Sequence, residues 1–203
     1  CTKASEDSAG NHQMASKGFK QTDPIIRELR IDYTTGGMAL SPDGNKLAYC
    51  RGENGRTTNL VLRDLETGDE TDITQKGTFG TVPVFSPDGN TIAYTYWSEN
   101  NTKTTVHIQS LKTNKDQSLD LDGFVRDWSK DGRFLLISTS PEFSEEGKTC
   151  VVPVDGGRAR EVNVPFDKGR FSPDTQYITY SDKGNVHLYA LDSGETTLII
   201  KGS

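Results

Sequence analysis

One five-residue turn returns four times along this 203-residue chain. It reads Leu40-Ser41-Pro42-Asp43-Gly44, then Phe85-Ser86-Pro87-Asp88-Gly89, then Trp128-Ser129-Lys130-Asp131-Gly132, then Phe171-Ser172-Pro173-Asp174-Thr175. Successive serines stand 45, 43 and 43 residues apart. The turn has a direct physical reading. Proline fixes φ at the first central position, aspartate bonds back to its own backbone, and glycine takes the positive φ that rejoins the strands. In the third repeat Lys130 replaces proline, and in the fourth Thr175 replaces glycine, so the fourth turn is expected to be built differently.

Each turn is followed by an apolar strand, at 46–50, 91–96, 134–139 and 177–181. A variable polar loop leads to a third strand at 59–65, 105–111, 149–154 and 185–191, each ending in a tight turn such as Glu66-Thr67-Gly68 or Asp192-Ser193-Gly194. A more polar fourth strand closes the unit, as at 70–74 and 196–200. Alternation of β-branched and polar residues fits strands and not helix. A period of about 40–45 residues with four strands per unit marks a propeller blade, and stacking of blades buries the faces that one sheet leaves open. The fold class is therefore all-β, a β-propeller of four-stranded antiparallel blades at about 34–75, 79–119, 122–164 and 166–201. Leu40, Phe85, Trp128 and Phe171, each just before a turn serine, are the expected wedges between blades.

The run Phe85-Ser86-Pro87-Asp88-Gly89-Asn90-Thr91-Ile92-Ala93-Tyr94, and a strand ending in Asp64-Leu65-Glu66-Thr67-Gly68, resemble the WD40-like PD40 repeat. That repeat occurs in the propeller of TolB-type periplasmic proteins and in propellers attached to prolyl-oligopeptidase-type peptidases. The resemblance spans residues 34–201 and is specific for fold, not for function. TolB-type propellers have six blades, whereas four are legible in this chain. Either the chain closes as a four-bladed ring, or it is an open part of a larger propeller. Residues 24–33 (PIIRELRIDY) read as one more strand, either fastening the last blade or left over from another. The resemblance implies a non-catalytic module that binds a protein or peptide partner in the cell envelope. The alternative it implies is the substrate-gating propeller of a peptidase or carbohydrate-processing enzyme.

The chain starts at Cys1, and residues 1–18 are polar, small and nearly devoid of apolar groups, which predicts a disordered tether before a propeller domain at 19–203. A mature Cys1 running into such a tether resembles a bacterial lipoprotein, in which the cysteine carries the lipid. Contact with the membrane is then expected through that anchor alone, because no apolar run approaches the ~18–20 residues of a spanning helix. With 23 Lys+Arg against 29 Asp+Glu, a net charge of −6 and no basic block, nucleic acid is excluded as a partner. Cys50 and Cys150 fall on different strand types two blades apart, so two buried thiols are expected, not a bridge.

No G-x-S-x-G elbow, H-E-x-x-H pair or P-loop is present, and no metal or cofactor is expected. His107 and His187 hold one slot in repeats two and four, where Val61 and Cys150 stand in the others, and read as structural strand residues. Residues 118–123 (SLDLDG) show part of a calcium-loop pattern, but an alternating strand entering a turn explains them equally well. The innermost strands are more informative. Two residues before the turn serine stand Ala39, Val84, Asp127 and Arg170, and three before it stand Met38, Pro83, Arg126 and Gly169. Asp127 and Arg170 either neutralise one another across neighbouring blades, or Arg126 and Arg170 with Lys168 form a patch at the channel mouth that receives an acidic group. Tyr94 reads as core, and Trp97, at the end of its strand, is the candidate surface aromatic.

Overall fold

The computed structural model describes residues 34–53, 56–74, 79–97, 104–139, 147–165 and 169–202. Cys1, the predicted tether, residues 24–33 and Lys168 lie outside them. The described chain is all β. Blade one comprises β1 (Thr34–Leu40), β2 (Lys46–Glu53), β3 (Arg56–Asp64) and β4 (Glu70–Asp72). Blade two comprises β5 (Phe79–Phe85), β6 (Thr91–Trp97), β7 (Thr104–Ser110) and β8 (Asp116–Ser118). Blade three comprises β9 (Phe124–Trp128), β10 (Phe134–Thr139), β11 (Lys148–Pro153) and β12 (Arg160–Val162). Blade four comprises β13 (Arg170–Phe171), β14 (Tyr177–Asp182), β15 (Asn185–Ala190) and β16 (Thr196–Ile200). Each blade is a separate antiparallel sheet in simple up-and-down order.

The four turns share one hydrogen-bond network. The serine hydroxyl donates to the aspartate two residues on, at 2.6, 2.6, 2.7 and 2.5 Å in blades one to four. The same serine oxygen accepts the amide of the residue that starts the next strand, namely Lys46, Thr91, Phe134 or Tyr177. The aspartate in turn accepts the amide two residues beyond it. At Asp88 the Ser86 hydroxyl and the Asn90 donors hold the carboxyl down at about 2.

The fourth turn corrects the sequence expectation, because it is built the same way as the others. Thr175 takes φ 59°, close to the 69–77° of Gly44, Gly89 and Gly132, and its amide bonds to the Ser172 carbonyl at 3.0 Å as glycine does elsewhere. A β-branched residue is strained there, and Thr175 Oγ1 is buried with no hydrogen-bond partner. Thr175→Gly is expected to raise stability by about 1 kcal/mol. Urea unfolding checks this, and a destabilised variant would contradict it.

Side chains alternate between two faces of each blade. The forward face of blade one (Ala48, Cys50, Leu60) packs on the rear face of blade two (Phe85, Ile92, Tyr94). Ala93 and Val106 of blade two meet Val125, Trp128, Leu135 and Ile137 of blade three. Leu136 and Val151 of blade three meet Ile178, Tyr180 and Tyr189 of blade four. Phe85 and Trp128 are buried wedges as expected, and Phe171 is half-buried. Leu40 departs from the pattern at 56% exposed, because no blade stands behind it among the described residues. Blades one and four do not pack on each other, so the described blades form an open arc and not a closed ring.

Candidate functional site

Of the predicted channel-mouth residues, Asp127 and its neighbour Arg126 on β9 lie where that strand meets β13, which carries Arg170. In the β9–β10 ladder Asp127 faces Leu136 and Val125 faces Ile137, so Arg126 occupies a bulge between them. Such a bulge re-aims a side chain out of the ladder. The Asp127 carboxylate accepts the Trp128 amide at 2.9 Å and, across the blade boundary, the Phe171 amide at 2.7 Å. Burial pushes the Asp127 carboxyl up, while the Phe171 and Trp128 amides and the charge of Arg170 act in the opposite direction. Gly169 allows this close approach, since a Cβ there would stand 2.8 Å from Leu136 Cδ2.

Asp127 is therefore committed to backbone amides, and no ion pair joins it to Arg170 among the described residues. Arg170 is exposed, and its Nη1 donates to the Gly169 carbonyl at 2.7 Å. The Arg126 guanidinium lies 5.2 Å from the centroid of the Phe124 ring, a cation–π distance. Trp97 meets that same ring, with centroids 5.7 Å apart, and is half-buried. The structure thus joins two candidates that the sequence treated as separate, Trp97 and Arg126, through Phe124. Sequence reasoning missed Phe124; an aromatic two residues from an inner-strand arginine was the available signal. Cationic and aromatic groups thus stand on neighbouring blades, Trp97 at the end of β6, Phe124 and Arg126 on β9 and Arg170 on β13, a set suited to an acidic group.

A second arrangement lies at the outer rim, where a cavity of about 310 Å³ opens between blades one and two. It is lined by Ile73, Thr74, Tyr94, Tyr96, His107 and Asp116 among others. Tyr94 donates its hydroxyl to Asp116 Oδ1 at 3.0 Å, and His107 Nδ1 stands 2.7 Å from Asp116 Oδ2. The Tyr94 and His107 rings stack 5.5 Å apart. Burial raises the Tyr94 hydroxyl pKa. Asp116 also feels burial, yet its hydrogen bonds from His107 and Tyr94 hold it below its ordinary value. The same blade position recurs as Tyr49 bonded to Glu70 at 2.8 Å, and as Tyr180 stacked on His187 at 5.0 Å. His107 and His187 lie on separate sheets, β7 and β15.

The partial calcium pattern folds differently from a ligand loop. Asp122 accepts the amide and the hydroxyl of Thr104, tying β7 to the entry of β9. No group of three or more candidate metal ligands is assembled among the described residues. Neither Cys50 nor Cys150 is in a disulfide; Cys50 is buried, which pushes its thiol up to about 11, and Cys150 is half-buried.

No protein-family model and no curated protein matches this sequence. Solved structures do. The chain is similar to TolB from Acinetobacter baumannii, at 22% identity and TM-score 0.61, over 81% of this chain and 44% of that one. It is similar to a putative TolB from Agrobacterium tumefaciens, at 17% identity and TM-score 0.65, over 84% of this chain and 67% of that one. It is also similar to dipeptidyl peptidase 4 from Porphyromonas gingivalis, at 14% identity and TM-score 0.61, over 82% of this chain and 32% of that one. These likenesses show the fold, a TolB-like β-propeller.

Proposed function

We propose that this chain is a non-catalytic binding module of the bacterial cell envelope, lipid-anchored through Cys1, that receives an acidic group of a protein or peptide partner at a shelf around Arg126 and Arg170. The observation that carries this reading is the disposition of Asp127. Its carboxylate is held by two backbone amides and makes no direct ion pair with Arg170 among the described residues, so the exposed Arg170 guanidinium is not sequestered by it, although the Asp127 charge still acts on Arg170. Arg126 and the Phe124 and Trp97 rings extend the shelf with the flat, amphipathic surface that partner anchors favour. The chain as a whole is acidic, at −6, so a local cationic shelf discriminates between partners instead of attracting anions generally. Fold likeness to two TolB structures supports the envelope setting. Likeness to a peptidase propeller supports the second reading, a substrate gate, which a hydrolase domain encoded in the same gene would favour.

The test is titration with a glutamate-rich and a lysine-rich peptide at about 0.15 M salt. Tighter binding of the acidic peptide is expected, falling about tenfold or more when Arg126 and Arg170 are both replaced by alanine. Equal affinity for both peptides, or an unchanged affinity in the double variant, would overturn the proposal.

A further inference from the structure

The outer rim of blade two carries a polar group that the other blades replace at the equivalent place. Ladder register fixes the equivalence. Gln109 lies opposite Ile92 and Asp116, as Arg63 lies opposite Leu47 and Glu70, and as Tyr189 lies opposite Ile178 and Thr196. In blade three Val152, opposite Leu135, holds that place. Val152 and Tyr189 are core residues, 5 and 6% exposed. In blade one Arg63 donates to Glu70 at 2.8 Å, and Arg51 pairs with the same carboxylate. The repeat is therefore satisfied at this position by an apolar or an ion-paired side chain.

Gln109 is neither. It is 6% exposed, yet its side-chain amide makes no hydrogen bond among the described residues. A buried amide without a partner is costly, and a ligand that meets it recovers that cost. The amide lines the cavity of about 310 Å³ between blades one and two, together with Tyr96, His107 and Asp116. Both Asp116 oxygens are engaged within the blade, one by the Tyr94 hydroxyl and the other by His107 Nδ1. With Nδ1 donating to that carboxylate, Nε2 of the neutral imidazole is an acceptor. The Tyr96 and His107 rings stand 5.3 Å apart, tilted by 47°, and give the cavity a flat apolar wall.

The open groups are thus an amide and a phenol that both donate and accept, beside an imidazole acceptor. Ring hydroxyls, which also donate and accept, match that set. An anion is opposed by Asp116, and an ammonium finds both Asp116 oxygens already bonded. We propose that this cavity binds one ring of a neutral saccharide, with neighbouring hydroxyls on the Gln109 amide and a C–H face against the Tyr96 and His107 rings. The volume lies at the small end of ligand pockets, as a single ring requires. The inference is independent of the acidic-group reading, because the cavity shares no residue with the Arg126 and Arg170 region.

The test is NMR of histidine and tyrosine side chains in the full chain during titration with glucose, galactose, mannose and N-acetylglucosamine. At least one sugar is expected to shift His107 and Tyr96 saturably, with a Kd of about 1 mM or tighter. Gln109→Leu is expected to weaken that binding about tenfold or more while keeping the wild-type melting temperature, since Val152 fills the same place in blade three. His107→Phe, which keeps a ring on Tyr94, is expected to weaken it as well. No saturable shift with any of the four sugars, as in a cavity that holds water alone, overturns the proposal. So does an unchanged affinity in either folded variant, or a lowered melting temperature of Gln109→Leu with binding intact in His107→Phe. Glucosamine binding about tenfold tighter than glucose would assign the cavity to an ammonium group and overturn it too.

Discussion

Trp128→Ala is expected to cost about 3–5 kcal/mol of unfolding free energy, the range for emptying a well-packed indole site. Trp128 is 5% exposed and wedges blade three onto Ala93 and Val106 of blade two, within a cluster that also holds Val125, Leu135, Ile137 and Val152. Its indole N–H donates to the Gly132 carbonyl at 3.1 Å, so truncation also strands that acceptor inside the turn. The effect belongs to the boundary and not to the residue type at that repeat position. Leu40 occupies the same position in blade one at 56% exposure, and Leu40→Ala is expected to change the stability of the single chain by no more than about 0.5 kcal/mol. Urea unfolding of both variants at low protein concentration, followed by circular dichroism, reads the contrast. Similar losses at the two positions would contradict the open arc.

Gly123→Ala is expected to cost about 2–4 kcal/mol, combining strain at positive φ with an overpacked contact. Gly123 has φ 154°, and a Cβ there would lie 2.8 Å from the Ser138 carbonyl oxygen and 2.9 Å from Ile137 Cγ2. The oxygen is backbone of the neighbouring strand β10, so it does not move aside as a flexible side chain would. The Gly123 amide is also held by Thr104 Oγ1 at 3.1 Å, beside the Thr104–Asp122 contact that joins blade two to the start of β9. Loss of register there shifts Phe124 and Arg126 as well, so the variant is expected to lose affinity for acidic peptide together with stability. A fully stable Gly123→Ala protein would contradict the described β9 entry.

Much of the fold was legible because the turn encodes it locally. Proline, aspartate and serine at fixed offsets set both the hairpin and its register, and the observed strands begin and end within a few residues of the expected ones. Thr175 was misread for the same reason. The serine–aspartate network fixes that turn so firmly that a β-branched residue is held at φ 59°, against its own preference. The site was only partly legible. Charge at Arg126 and Arg170 was plain from the repeat alignment, but the amide partners of Asp127 depend on how closely β13 approaches blade three. The Tyr94–His107–Asp116 group spans three strands of one sheet, and its closure required the register that pairs Tyr94 with His107. Whether the ends of the array meet is set by the angle between blades, which no single repeat carries.

Arginine side-chain NMR during titration with an acetylated hexaglutamate reads directly whether the proposed shelf around Arg126 and Arg170 receives an acidic group. The guanidinium resonances of Arg126 and Arg170 are expected to shift together and saturably, with Trp97 following and His107 at the outer rim unmoved. Shifts centred on His107 and Tyr94, or no saturable shift at Arg126 and Arg170, would contradict the proposal.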